Sequence, residues 1–384
     1  MIDLDPVIPP QRNDQDAPTL GVEEEFLVVD PATGAPLPAA AAVVGAAGQM
    51  GVELHYELTT AQVEVNTPVC HDMREVGAQL RAARAVAAAA ALQNGGQLLP
   101  VGVPLTGPLR QQVTDADRYR RMVEEFGLLA VEHGVCGCHV HVGVPDRETA
   151  VQVGNHLRPW LPVLLALSAN SPIYDGVDTG YASWRSVLCA RWPCWGAPPY
   201  FRSLDEYAAT TAMLIDSGVA LDAGMIYWDV RPSWHLPTVE VRVSDVPATV
   251  DGTVLLAVLV RGLVTTAVRA VRAGVPAPLV GAEALRAAYW RAARDGVTGS
   301  ALDVVSGRLV PATEMLNQLL RHVRPVLADT GELRATRTLL TRVLRNGNGA
   351  VLQRAAFGVR GSLLDVVSTL ARHALQDRAP DTAA

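Results

Sequence analysis

GVEEEFLVV, residues 21–29, sets three consecutive carboxylates inside a stretch that is otherwise β-branched and aromatic. In a strand, successive side chains point to opposite faces, so Glu23 and Glu25 share one surface while Val22, Glu24 and Phe26 share the other. The same alternation in PTVEVRV (237–243) puts Glu240 and Arg242 together, opposite Val239, Val241 and Val243. In CGCHVHVG (136–143) it pairs His139 with His141, and in QVEVN (62–66) it isolates Glu64 between Val63 and Val65. Four strands therefore carry ionisable groups on one face and apolar groups on the other. A solvated face would mix in Lys, Thr, Ser and Gln. Here the positions are Glu, His and Arg only, and clustered carboxylates repel one another unless a divalent cation neutralises them. Oxygen-rich clusters suit hard ions, so the pattern predicts a two-metal site for Mg²⁺ or Mn²⁺. A zinc site is excluded by the same alternation, because Cys136 and Cys138 face away from His139 and His141. The His-x-His of metal-dependent (β/α)8 hydrolases is also a poor match, since this pair lies mid-chain and no lysine is present to bridge two metals.

Working outward, further strands are expected near 52–58, 97–101 and 225–230, with the four above at 21–29, 62–66, 137–144 and 237–243. Apolar periodicity predicts helices over 74–93, 115–133, 147–169, 203–216, 250–273, 281–294, 311–328, 332–345 and 361–375. Thr114 is the expected N-cap of the second of these, whose charged start holds Asp115, Asp117, Arg118, Arg120 and Arg121. Strands and helices do not alternate one for one, which argues against a doubly wound parallel sheet. The expectation is an α+β fold with a largely antiparallel sheet, as a single domain over 19–375 between flexible tails at 1–18 and 376–384. RNGNG (345–349) follows a helix and reads as its cap and turn rather than a phosphate loop.

Composition narrows the chemistry. The 384 residues are 49% hydrophobic, enough for a sizeable core, and the net charge of −7 comes without a basic block. That excludes an electrostatic footprint for nucleic acid or an anionic membrane. No uncharged apolar run reaches 18 residues and the N-terminus lacks the features of a signal peptide, so a cytoplasmic location is expected. Five cysteines are too few and odd in number for a disulfide framework. All 32 basic residues are arginine. Schiff-base chemistry, a P-loop lysine and a lysine base are thereby excluded, and any bound anion is held by Arg, metal or backbone N–H groups.

Eight segments, in order, resemble blocks of the YbdK-type carboxylate–amine ligases, the glutamate–cysteine ligase type 2 family. They are TLGVEEEFLVVD (19–30), HYELTTAQVEVNTPVC (55–70), DRYRRMVEEFG (117–127), CHVHVGV (138–144), LSANSPIYDGVDTGYASWR (167–185), WDVRPSW (228–234), TVEVRVSDVP (238–247) and YWRAARDGVTG (289–299). The resemblance implies a catalytic domain like that of glutamine synthetase, with a curved antiparallel sheet forming a funnel for ATP and metal inside a coat of helices. By motif it implies Glu23, Glu25, Glu57, Glu64 and Glu240 as metal ligands, His139 and His141 beside nucleotide or metal, and Arg242 on the phosphates. Asp295 and the stretch around Trp192, Cys194 and Trp195 depart from the family pattern.

The implied reaction transfers a phosphoryl group from ATP to a carboxylate, and an amine then displaces phosphate from the acyl phosphate. The implied substrates are a glutamate-like acid and an amine, with at least weak glutamate–cysteine ligase activity. Arg185 and Arg231 are candidates to clamp a substrate carboxylate, with surface ion pairs as the alternative. Arg242 either meets the moving phosphoryl group or pairs with Glu240. Arg291 and Arg294 share a helix face that either reaches nucleotide, through Arg294, or meets solvent. Rival readings are a guanidino-type phosphotransferase and a non-catalytic nucleotide- and metal-binding protein on the same fold. Alanine-rich helices would suit a homodimer.

Overall fold

The structure, a computed structural model, describes residues 17–375. The expected tails fall almost wholly outside the described residues. Eleven strands are present among them: β1 (Leu20–Val29), β2 (Leu54–Tyr56), β3 (Gln62–Asn66), β4 (Gln97–Leu99), β5 (Gly137–Gly143), β6 (Ile173–Tyr174), β7 (Val177–Asp178), β8 (Val230–Pro232), β9 (Thr238–Asp245), β10 (Ser300–Asp303) and β11 (Arg308–Pro311). The α-helices are α1 (Ala40–Gln49), α2 (Met73–Gln93), α3 (Asp117–Phe126), α4 (Leu128–Val131), α5 (Arg147–Leu157), α6 (Leu161–Ser168), α7 (Trp184–Cys189), α8 (Leu204–Asp216), α9 (Val250–Arg272), α10 (Ala282–Asp295), α11 (Ala312–Asp329), α12 (Leu333–Asn346), α13 (Gly349–Arg360) and α14 (Leu363–Leu375).

One open sheet of seven strands organises the molecule, in the order β2-β3-β1-β5-β9-β8, with β4 also on β1. Every ladder in it is antiparallel. β1 is long enough to hold β3 along one edge while β5 and β4 share the other, β5 over Leu20–Glu24 and β4 over Leu27–Val29. The apolar sides of β1, β5 and β9 (Val22, Cys138, Val140, Val142, Val239, Val241 and Val243) pack in one buried cluster with Leu80 of α2, Val153 of α5, Leu164 of α6 and Leu255 and Leu259 of α9. Burying that face against helices leaves the Glu/His/Arg face to line a cleft. Helix α9 is apolar and long enough to cross a membrane, yet two-thirds of its apolar window is buried inside the fold. At its centre the Arg261 guanidinium is buried against Glu332 and the His71 carbonyl.

Several sequence expectations need correction. The strand expected over 225–230 lies at Val230–Pro232 instead. Tyr227 and Trp228 pack among other aromatic rings, Ile226 caps a short 3₁₀ turn with its carbonyl accepting from Arg231, and Trp228 makes only an isolated bridge to Gly196. The helix expected over 115–133 breaks at Gly127, whose φ of 53° no other residue adopts cheaply. Thr114 is not its cap: helix α3 starts after Ala116 without a side-chain cap, and the Thr114 hydroxyl donates to the Glu57 carbonyl at 2.6 Å. The 147–169 helix is interrupted by a 3₁₀ turn over Arg158–Trp160 at Pro159. Helices α1, α7 and α13 and the hairpins β6–β7 and β10–β11 were not anticipated.

Candidate active site

The register of the sheet assembles the site. Glu64 stands opposite Glu25 across β3 and β1, and His139 stands opposite Glu23 across β5 and β1. Glu240 faces His141 across β9 and β5 and Arg231 across β9 and β8. Five strands thus deliver their ionisable side chains to one surface. There the ligand-capable atoms form two groups, Glu23 with His141 and Glu240, and Glu25 with Glu57 and Glu64; within each, the atoms lie within 4.8 Å of one another. Glu57 comes from just beyond β2, where its side chain accepts the Leu58 amide at 3.1 Å. Glu25 accepts the Gly137 amide at 2.6 Å, and Glu64 accepts from Asn66 at 3.0 Å.

The two groups differ electrostatically. Burial is the largest influence on Glu23 and would raise its carboxyl, but hydrogen bonds from His139 (Nδ1–Oε2 3.0 Å) and His141 outweigh it and hold the group well below its usual range. Burial would likewise raise Glu240, yet Arg242 and Arg231 hold it low. In the second group the nearby Arg242 does not offset the acids: burial and Glu25 push Glu57 up to about 7, and burial with Glu57, Glu23 and Glu25 pushes Glu64 well up. Carboxylates crowded with too little counter-charge take this form, and a divalent ion is the ordinary remedy. The donor set, carboxylate oxygens with one imidazole, fits Mg²⁺ or Mn²⁺.

Arginine lines the rest. Arg242 pairs with Glu240, lies 3.4 Å from His139 Nδ1 and stacks over Tyr227 at 5.9 Å. Burial lowers the His139 pKa and the neighbouring Arg242 lowers it further. For His141, burial is overcome by Glu23 and Glu240, and the pKa rises. Arg185, in the first turn of α7, is buried with its guanidinium 5.6 Å over Trp195 and 3.9 Å from Asp245. Its Nε has no partner among the described residues and the side chain lines the cleft. Asp245 also accepts from the Asn170 amide and the hydroxyls of Ser171 and Ser183, which fixes the loop leading into α7.

Glu23, Glu25, Glu57, Glu64, His139, Arg185 and Arg242 line one cleft of about 190 Å³, and Glu240 and His141 flank it. Arg231 is placed differently from the expectation. Its Nε meets Glu240 at 2.9 Å and its Nη1 donates to the carbonyls of Gly224 at 3.0 Å and Ile226 at 2.6 Å, so it holds Glu240 from behind. Arg294 sits 5.7 Å over Tyr181 and is not among the residues lining the cleft. Gln62, Tyr119, His133 and Tyr227, which the sequence reading overlooked, also line the cleft, with Trp195, Leu58, Arg118, Met122 and Val135. Gln62 could have been found, since it stands two residues before Glu64 on the same face. The aromatic wall could not, because it joins Tyr119 of α3 to His133, Trp195 and Tyr227 of separate loops only in three dimensions.

Comparison with known proteins gives the same class. The fold is shared with a bifunctional glutathione synthetase from Pasteurella multocida (TM-score 0.67, 15% identity, 93% of this chain and 52% of that one). It is also shared with a glutamate–cysteine ligase from Francisella tularensis (TM-score 0.66, 12% identity, 97% of this chain and 91% of that one). A Nocardia farcinica protein with a provisional glutamate–cysteine ligase 2-1 name is 54% identical over 368 residues, 96% of each chain. A provisionally named glutamate–cysteine ligase 2-3 of Mycolicibacterium smegmatis is 52% identical, over 92% of this chain and 97% of its own. The chain is an enzyme of the ATP-dependent carbon–nitrogen ligase class. It belongs to glutamate–cysteine ligase family 2 (GCS2), whose model matches residues 19–367.

Proposed function

We propose that this enzyme condenses a glutamate-like carboxylate with an amine at the expense of ATP, through an acyl phosphate, with at least weak glutamate–cysteine ligase activity. The observation that carries the reading is the pair of carboxylate groups set side by side on one sheet face, flanked by the buried Arg185 and the largely buried Arg242 from separate elements.

Phosphoryl transfer between a triphosphate and a carboxylate brings anions together, so positioning and charge neutralisation are the main tasks. Mg²⁺ or Mn²⁺ held by Glu23, His141 and Glu240 and by Glu25, Glu57 and Glu64 would screen the phosphate oxygens and the attacking carboxylate. Arg242, kept charged and oriented by Glu240, is placed to meet negative charge growing on the transferred group. Arg231 contributes by fixing Glu240. Arg185 lines the cleft with Trp195 and His133 and has an unpaired Nε, which suits a grip on a substrate carboxylate. The carboxylate oxygen takes the γ-phosphoryl group and ADP leaves; the amine then attacks the acyl carbon and inorganic phosphate departs with the electron pair. The reaction consumes ATP, and the location we propose is cytoplasmic. Pairing of two copies through the alanine-rich helices is measurable by light scattering.

The test is an ATP-consumption screen across amino acids and amines, with products read by mass. An amide appearing with ADP and phosphate is the expected result. A phosphorylated amine without any condensed product would overturn the ligase reading in favour of a phosphotransferase.

A further inference from the structure

The turn between β8 and β9, Ser233–Pro237, holds an indole that the core does not use. Trp234 is 54% exposed. The turn itself is fixed: the Ser233 amide donates to the Thr238 carbonyl at 2.9 Å, the Leu236 amide donates to Ser233 Oγ at 3.3 Å, and Arg147 reaches the Ser233 carbonyl at 3.4 Å. Its base is joined to the site, because Thr238 Oγ1 lies 2.9 Å from His141 Nδ1, and the other nitrogen of that ring is 3.1 Å from Glu23. On its other side the indole approaches Gly224 together with Arg118, a residue of the cleft lining. Trp234 Nε1 and Arg118 Nη2 lie 3.8 and 3.2 Å from the point where a β-carbon on Gly224 would stand, and Arg118 lines the cleft with Glu57 and Tyr119. The His235 ring sits 4.5 Å from the indole at 53°.

A nucleoside triphosphate whose phosphates lie among Glu23, Glu240 and Arg242 must carry its base outward, toward the rim. Rings are held there by stacking on an aromatic face, which is indifferent to hydrogen-bond pattern. Three aromatic side chains are exposed among the described residues: Tyr56, Trp234 and Trp290. Tyr56 is paired with Val63, whose side chain packs in the core on the opposite face from Glu64. Trp290 lies on α10 against Tyr181 and Arg291, apart from the cleft lining. Of the three, Trp234 stands near the cleft residue Arg118 and on the turn whose base contacts His141.

We propose that Trp234 is the stacking platform for the purine ring of ATP, with the Trp234-His235 turn forming the base end of the nucleotide site. This rests on the ligase reading, and the experiment separates the two. Calorimetry with the full chain would compare ATP and inorganic tripolyphosphate, each with excess Mg²⁺, on wild type, Trp234→Ala and Trp234→Phe. The proposal expects Trp234→Ala to weaken ATP about 10- to 100-fold while tripolyphosphate stays within about twofold. Trp234→Phe should recover most of the loss, and GTP should bind wild type better than UTP. Unchanged ATP affinity in Trp234→Ala, or an equal loss for tripolyphosphate, overturns the platform and leaves the ligase reading standing. A wild type that binds neither ligand overturns both.

Discussion

The guanidinium of Arg185 occupies the space that a β-carbon on Gly137 would fill, while the Gly137 amide donates to Glu25 at 2.6 Å. One glycine therefore joins the proposed carboxylate grip to the second acidic group. Gly137→Ala forces the buried guanidinium aside, an overpacking that typically costs about 1–3 kcal/mol. The expected result is a rise of roughly tenfold in KM for the acid substrate with a smaller change in KM for ATP. Equal KM values for wild type and variant would remove Arg185 from the acid-binding site.

Glu64 and Glu25 repel one another across the β1–β3 ladder, so Glu64→Gln has two opposite effects. Without divalent ions it relieves like-charge crowding, and the melting temperature should rise by roughly 1–3 °C. With Mg²⁺ or Mn²⁺ the variant should lose most of the metal-dependent stabilisation that wild type shows, because a ligand is gone. Thermal melts in EDTA and in Mn²⁺ check both arms. A variant stabilised by Mn²⁺ as much as wild type would exclude Glu64 from metal binding.

Glu24 lies next to Glu25 in sequence but on the opposite face, where Arg84 grips it through Nε at 2.8 Å and Nη2 at 2.5 Å, and Thr253 donates to it at 2.5 Å. Both partners are fully buried. Removing one charge leaves the other stranded, so Glu24→Gln should lower unfolding stability by about 3 kcal/mol in urea titrations. Mn²⁺ affinity of the folded variant should stay at the wild-type value. A fall in metal affinity larger than the loss in stability would contradict the two-faced strand.

That contrast marks what was legible beforehand. Alternation with period two separates Glu24 from Glu23 and Glu25, and it carries over to Glu64, Glu240, His139 and His141 because antiparallel register converts local alternation into cross-strand neighbours. Arg231 obeys the same rule, but its donors are absorbed by carbonyls of a 3₁₀ turn that no pattern in DVRPS announces. Arg294 lies on the predicted helix, yet which neighbour it meets depended on the Tyr181 loop folding back onto α10. Helix α13 was hidden by RNGNG, where the positive φ of Gly347 ends one helix and Asn348 caps the next. Propensity rules mark the break there but not that a second helix follows at once.

His133 supplies a pH test independent of metal. Its ring sits in the cleft wall beside Trp192, whose Nε1 donates to His133 Nδ1 at 2.9 Å. Burial, with Arg185 and Arg191 nearby, depresses its pKa from 6.5 to about 3. Between those values the unfolded chain binds a proton that the folded chain refuses, so stability falls as pH drops below 6.5 and the loss is complete near 3. The slope from this residue should be about 1 kcal/mol per pH unit, somewhat less than the ideal value because the ring is only partly buried. Urea unfolding of wild type and His133→Gln between pH 5 and 7.5 measures it. The variant keeps a polar partner for Trp192 and cannot be protonated, so its stability should vary less with pH by that amount. Parallel curves for the two proteins would show that His133 titrates normally and that the cleft wall is open to water.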